Sequence, residues 1–224
     1  SSFSHMDKAS KLTILNKNPH LRENDLQIGF TVDEMVVRVE GLLRSIGMVD
    51  HFAPLIYIIG HGSSSVNNPH YAAYDCGACS GRPGSVNARV VCYMANHPAV
   101  RNKLKENGID IPPETQFVGG LHDTTRDEIA FYDEDTLIRT NISRHQQNLK
   151  TFATALTLNA KERSRRFESI KTTSDARAIH EKVKPRSVSL FEPRPEYNHA
   201  TNAICVVGRR SLTRDLFLDR RLFL

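Results

Sequence analysis

Met35, Val36, Val39, Leu42, Leu43 and Ile46 recur at helical spacing. Thr31-Val-Asp-Glu34 in front of them is a capping box, and Gly47 behind them is a natural C-cap. Together these predict a helix over about 31–46. Leu55 to Ile59 is a continuous apolar, β-branched run closed by Gly60, which predicts a buried strand over 55–60. Residues 62–84 are rich in Ser, Asn, Gly and Pro and read as one long loop, a length that inside a compact domain usually serves function. Ser85 is positioned to cap a second helix reaching about Met94, and Pro98 opens a third that Gly108 ends. Thr115 to Leu121 and Glu128 to Tyr132 read as strands. Residues 145–168 read as a helix whose apolar stripe is Phe152, Ala155, Leu156, Leu158 and Phe167. Residues 171–199 are mixed and interrupted by proline, and Ala203 to Val207 is a short strand bounded by Gly208. Helices and strands in this order predict a layered α/β domain. Residues 1–28 show no sustained periodicity and read as a linker or an incomplete element, and the apolar ending Leu216 to Leu224 reads as a cut through a strand or helix.

Composition narrows this picture only a little. With 224 residues, 39% hydrophobic and 25% charged, the chain can bury a substantial core. No run approaches the roughly 20 apolar residues of a membrane-spanning helix, and no secretory signal pattern stands at the start. The net charge of +5 gathers late, in Lys161-Glu-Arg163-Ser-Arg165-Arg166, Arg209-Arg210 and Arg220-Arg221. A solvated face explains these runs better than nucleic acid does, because no aromatic residues are interleaved with them. Cysteines stand at 76, 79, 92 and 205. Without an export signal, and in a chain too large to need disulfides, they read as reduced thiols.

Chemistry concentrates in residues 55–82. The predicted strand ends at Gly60-His61-Gly62, which leaves an imidazole at a strand's C-terminal end, and Cys76-Gly77-Ala78-Cys79 follows after a loop. A neutral imidazole and a thiolate are donors that zinc accepts, so His61 and Cys76 are candidate metal ligands, with Cys79 a further ligand or a small buried neighbour. The same residues also fit a histidine bonded to a loop carbonyl above a packed cysteine, or a Cys-x-x-Cys redox pair. Asn67, Asn68, His70 and Asp75 could orient the ligands through hydrogen bonds, and His122-Asp123 closes another predicted strand where α/β sites commonly lie. Ser63, Ser64 and Ser65 do not match a nucleophile elbow, and no phosphate-binding glycine motif is present.

A strand ending in Gly60-His61, followed by Cys76-Gly77, resembles half of the zinc site of β-type carbonic anhydrases. The wider chain resembles the DabA family of probable inorganic carbon transporter subunits. GFTVDEM (29–35), GHGSSSVNNPHYAAYDCGACSG (60–81), FVGGLHDT (117–124), ERSRRFES (162–169) and RPEYNHATNAICVVGRRS (194–211) carry that resemblance. It implies that residues 29–224 are part of a larger α/β domain, truncated at both ends, with a mostly parallel sheet of the β-carbonic-anhydrase type. It further implies Zn2+ held by His61 and Cys76, with two more ligands from a Cys-x-Asp motif that this chain lacks. The implied activity is hydration of CO2 to bicarbonate by zinc-bound hydroxide. The implied setting is the cytoplasmic side of the cell inner membrane, as a peripheral subunit beside a DabB-like, antiporter-like membrane partner. The fragment alone is expected to be inactive. A structural-zinc module of His61, Cys76 and Cys79 that docks a membrane partner is the alternative.

Overall fold

A computed structural model describes residues 11–18, 20, 22–67, 82–191, 204–205, 208–216 and 222–223. The first helix forms where the sequence marks it. In α1 (Val32–Ser45) the Glu34 amide donates to the Thr31 hydroxyl at 3.2 Å, and the Thr31 amide donates to the Glu34 carboxylate at 2.8 Å. These bonds satisfy two of the amide groups that a helix start leaves unpartnered. Met35, Val36, Val39 and Leu43 form its buried stripe, and Gly47 ends it at φ +73°.

The N-terminal segment contributes packing as well as two short strands, β1 (Arg22–Glu23) and β2 (Leu26–Gln27), which pair antiparallel. Ile14 is buried in the main core, and its carbonyl accepts the Phe30 amide at 2.6 Å. The central sheet holds β3 (Leu55–Gly62), β4 (Gln116–Asp123) and β5 (Glu128–Phe131), in the order β3-β4-β5. β3 and β4 run parallel, with Leu55 opposite Gln116 and Gly62 opposite Asp123. β4 and β5 run antiparallel. The sheet is therefore mixed, which corrects the expectation of a mostly parallel one. Only Thr124 to Asp127 join β4 to β5, and four residues can turn a hairpin but cannot carry the chain back for a parallel crossover.

Between β3 and β4 lie α2 (Ser85–Asn96) and α3 (Pro98–Glu106). Ser85 does not cap α2. Gly84 occupies the cap position, and Ser85 is the first helical residue, fully buried. The helices α1, α2 and α3 share one apolar cluster with Ile56 of β3 and Phe117 of β4, including Met35, Leu43, Met94 and Leu104.

After β5 comes α4 (Arg139–Arg163), which starts six residues before the predicted helix and ends five before it. Its buried residues are Asn141, His145, Ala160 and Arg163, whereas Leu158 of the expected stripe is exposed. A helix not marked by the sequence reading, α5 (Ala176–Val183), packs against α4, with the Asp175 carboxylate capping the amides of Arg177 and Ala178. Toward the C-terminus β6 (Ile204–Cys205) pairs parallel with β7 (Leu222–Phe223). Among the described residues no helix is long and apolar enough to cross a membrane.

Candidate functional site

Parallel pairing brings the C-terminal ends of β3 and β4 side by side, and the register sets His61 opposite His122. Side chains alternate along a strand, so the two imidazoles leave the same face of the sheet, the face that also carries Tyr57 and meets α4. Gly62 and Asp123 turn to the other face. The two strand ends thus build a two-histidine rim on one side and an anchoring carboxylate on the other.

Gly60 is required by a close approach. A β-carbon there would lie 2.4 Å from the carbonyl carbon of Gly84. The Gly84 amide donates to the His61 carbonyl at 2.8 Å. The long loop therefore leaves β3 at His61 and returns to it at Gly84, and its two ends are fastened to one point.

The exit of the loop is fastened equally firmly. Asp123, buried in β4, accepts the Ser64 hydroxyl at 2.5 Å, the Ser64 amide at 3.2 Å and the Thr125 amide at 3.0 Å. Ser63 meets the Thr125 hydroxyl at 3.1 Å. The Thr124 amide and hydroxyl both donate to the Gly62 carbonyl. Farther along, the Val66 amide donates to the Ser187 carbonyl, and the Asn67 side chain donates to the Leu190 carbonyl at 2.6 Å. Ser63 and Ser64 are buried loop anchors, and Ser65 is buried beside them. Of the pair His122-Asp123, the histidine joins the rim and the aspartate holds the loop.

Behind the rim sits a buried ion pair that the sequence reading missed. The Nε2 atom of His122 stands 3.5 Å from Asp127 Oδ1. Asp127 is fully buried at the end of the β4–β5 turn with φ +52°. It accepts the Asn159 amide at 2.5 Å and the Arg163 guanidinium at 2.9 and 3.2 Å, and Arg163 also donates to the Thr125 carbonyl at 2.7 Å. Burial pushes the Asp127 carboxyl pKa up. The His122 ring, the Arg163 charge and the Asn159 hydrogen bond outweigh burial and hold it below the ordinary carboxylate value. Arg163 belongs to the basic run read as a solvated face, yet its side chain is 3% exposed. A compact turn ending in aspartate was the only local signal, and its partner lies 36 residues away.

Cys76, Cys79, Asn68, His70 and Asp75 lie outside the described residues. Cys92 is buried in α2, where burial pushes its thiol up to about 12. Among the described residues no group of three or more His, Cys, Asp or Glu side chains converges as a metal site. A cavity of about 590 Å³ opens between β5 and the α4–α5 pair. Its walls carry Arg177, Lys184 and His180 beside the carboxylates of Asp123, Asp127, Glu128 and Glu181.

A family model described as probable inorganic carbon transporter subunit DabA matches residues 2–224. A curated relative with that name from Azotobacter vinelandii is 66% identical over 100% of this chain and 26% of its own length. One from Nitrosospira multiformis is 64% identical over 99% of this chain and 24% of its own. One from Parafrankia is 49% identical over 92% of this chain and 19% of its own. The chain thus spans about a quarter of the length of its two most similar relatives named here. No solved structure matches it.

Proposed function

Because this chain belongs to the DabA family of probable inorganic carbon transporter subunits, we propose that its β3–β4 strand ends form half of a zinc site for CO2 hydration. The observation that carries the reading is His61, a potential imidazole donor at a strand end to which both ends of the following loop are fastened. Donor chemistry fits the metal: an imidazole from His61 and a thiolate from Cys76 are both ligands of zinc. Two further ligands must come from the rest of the longer polypeptide, since no Cys-x-Asp occurs among these residues.

Zinc, when bound, would make a coordinated water acidic near pH 7 and so able to attack CO2. This chain's own residues prepare the place. Gly60 lets Gly84 close onto the strand, and Asp123 locks Ser64, so the backbone on either side of His61 is fastened. His122 walls the same face beside His61, and its Nε2 stands 3.5 Å from Asp127. The family's transporter role supports coupling to a membrane partner of the antiporter type, with this region peripheral on the cytoplasmic side. The likeness to β-type carbonic anhydrases rests on Gly60-His61 and Cys76-Gly77.

Zinc content of the full-length protein tests the reading. His61→Ala and Cys76→Ala should each lose bound zinc, while Cys79→Ala should keep it. Full zinc occupancy in both of the first two variants would overturn the ligand assignment.

A further inference from the structure

From the hydrogen-bond phase of β3 we infer that its outer edge is an interaction surface. Its partner is an extended segment from the part of the longer polypeptide that lies beyond these 224 residues. The inference stands on strand geometry and is independent of the zinc reading.

β3 is the outer strand of the sheet among the described residues. In a parallel pair, alternate residues point both their N–H and C=O at the neighbour, and the residues between them point both groups away. The phase is set by two bonds at the ends of the pair. Gln116 donates to the Pro54 carbonyl at 2.9 Å, and Thr124 donates to the Gly62 carbonyl at 2.8 Å. Even-numbered residues of β3 therefore serve β4. Leu55, Tyr57 and Ile59 turn their backbone groups outward. At the far end the outward carbonyl of His61 is taken by the Gly84 amide, which closes the edge there. Among the described residues, what remains is an open stretch from Leu55 to Ile59.

Natural sheet edges are blunted by charges, prolines, bulges or shortness. β3 has none of these between Leu55 and Gly60. It is eight residues long, and its register with β4 is unbroken over all eight. Its sequence is that of an interior strand, yet Ile59 is 37% exposed, whereas β4 beside it is buried at Phe117 through Leu121. A strand added at this edge would satisfy the outward groups by main-chain pairing and cover Ile59 with its own side chains. The relatives, about four times as long as this chain, have ample polypeptide to supply it.

Two measurements on the full-length protein decide the matter. Amide hydrogen exchange resolved to single residues reads the edge directly, with Ile56 and Ile58, bonded to β4, as internal controls. Tyr57 and Ile59 amides should exchange about 100-fold or more slower than unprotected amides. Exchange near the unprotected rate, with the controls slow, would overturn the proposal. A photo-crosslinking residue at Ile59 should then join a peptide of the same polypeptide from outside these 224 residues. A product within the 224 residues, or one between two copies in a mixed-isotope sample, would overturn it as well.

Discussion

The two faces of the sheet are sealed by different chemistry. On the α1–α3 side Ile56 and Phe117 meet Met35, Val39, Leu43, Met94 and Leu104 in one apolar cluster, with polar bonds at its margin from Asn96 to the Phe117 backbone and from buried Arg89 to Asp133. On the α4–α5 side the contact is laced with buried polar groups. The Tyr57 hydroxyl meets His145 Nδ1 at 2.9 Å, and His145 Nε2 meets Glu134 at 3.0 Å. Asn141 donates to the carbonyls of Pro54 and Glu114, and Asp127 holds Arg163 and Asn159. Apolar packing tolerates small shifts and responds to volume. Hydrogen-bonded packing fixes positions and punishes any unpaired group. The rim of His61 and His122 lies on the polar face, where side-chain placement is most tightly specified.

Perturbations of the two faces in the full-length protein should differ in kind, with loss of hydrogen-exchange protection in this region as the readout. Asp127→Ala strands the buried Arg163 charge and should cost about 3–5 kcal/mol. Replacing Asp127 and Arg163 together by apolar residues should cost much less than that. A loss below about 1 kcal/mol for the single change would show that the polar face is not built on this pair. On the other face Leu43→Ala leaves a cavity and should cost about 2–5 kcal/mol, with no excess coupling to Asp127. At the strand end between them, Gly60→Ala forces a β-carbon onto the Gly84 carbonyl and should cost about 1–3 kcal/mol. Its damage should centre on residues 61–64 and 84–88, and uniform loss across both faces would contradict the local role.

Acid separates the faces further. The folded Asp127 carboxyl is held below its ordinary value of 3.8, so its contribution is complete above that value and disappears as the pH falls through the lowered folded one. Protection of the α4–α5 contact should therefore fall below about pH 4, and Asp127→Asn should flatten that limb. The smallest effect belongs to the apolar side, where Thr31→Ala removes the cap of α1 and should cost about 1 kcal/mol, confined to the first turn.

The apolar face was legible and the polar face was not, for one reason. The α1 stripe and its capping box are local signals, complete within sixteen residues of sequence numbering from Thr31 to Ile46. The contacts of α4 are long-range: His145 with Tyr57 is separated by 88 positions and Arg163 with Asp127 by 36. Periodicity favoured Leu158 and Ala155 as the inward stripe, and the helix instead turned Asn141, His145 and Arg163 inward. The candidate site divides the same way. Gly60-His61 was visible as a strand end with small neighbours. Asp123 as the anchor of Ser64, and Asp127 behind His122, depend on which strands pair and in what register.

By itself, the sequence determined the helix and strand that frame the site, the glycine beside His61, and membership of a family of inorganic carbon transporter subunits. Each is written in adjacent residues or in long matching stretches. Tertiary structure alone decided that His61 and His122 share a face, and that one arginine of a basic run is buried against Asp127. Those outcomes follow from strand register and from the need to partner every buried charge, and neither can be read from neighbours in the chain.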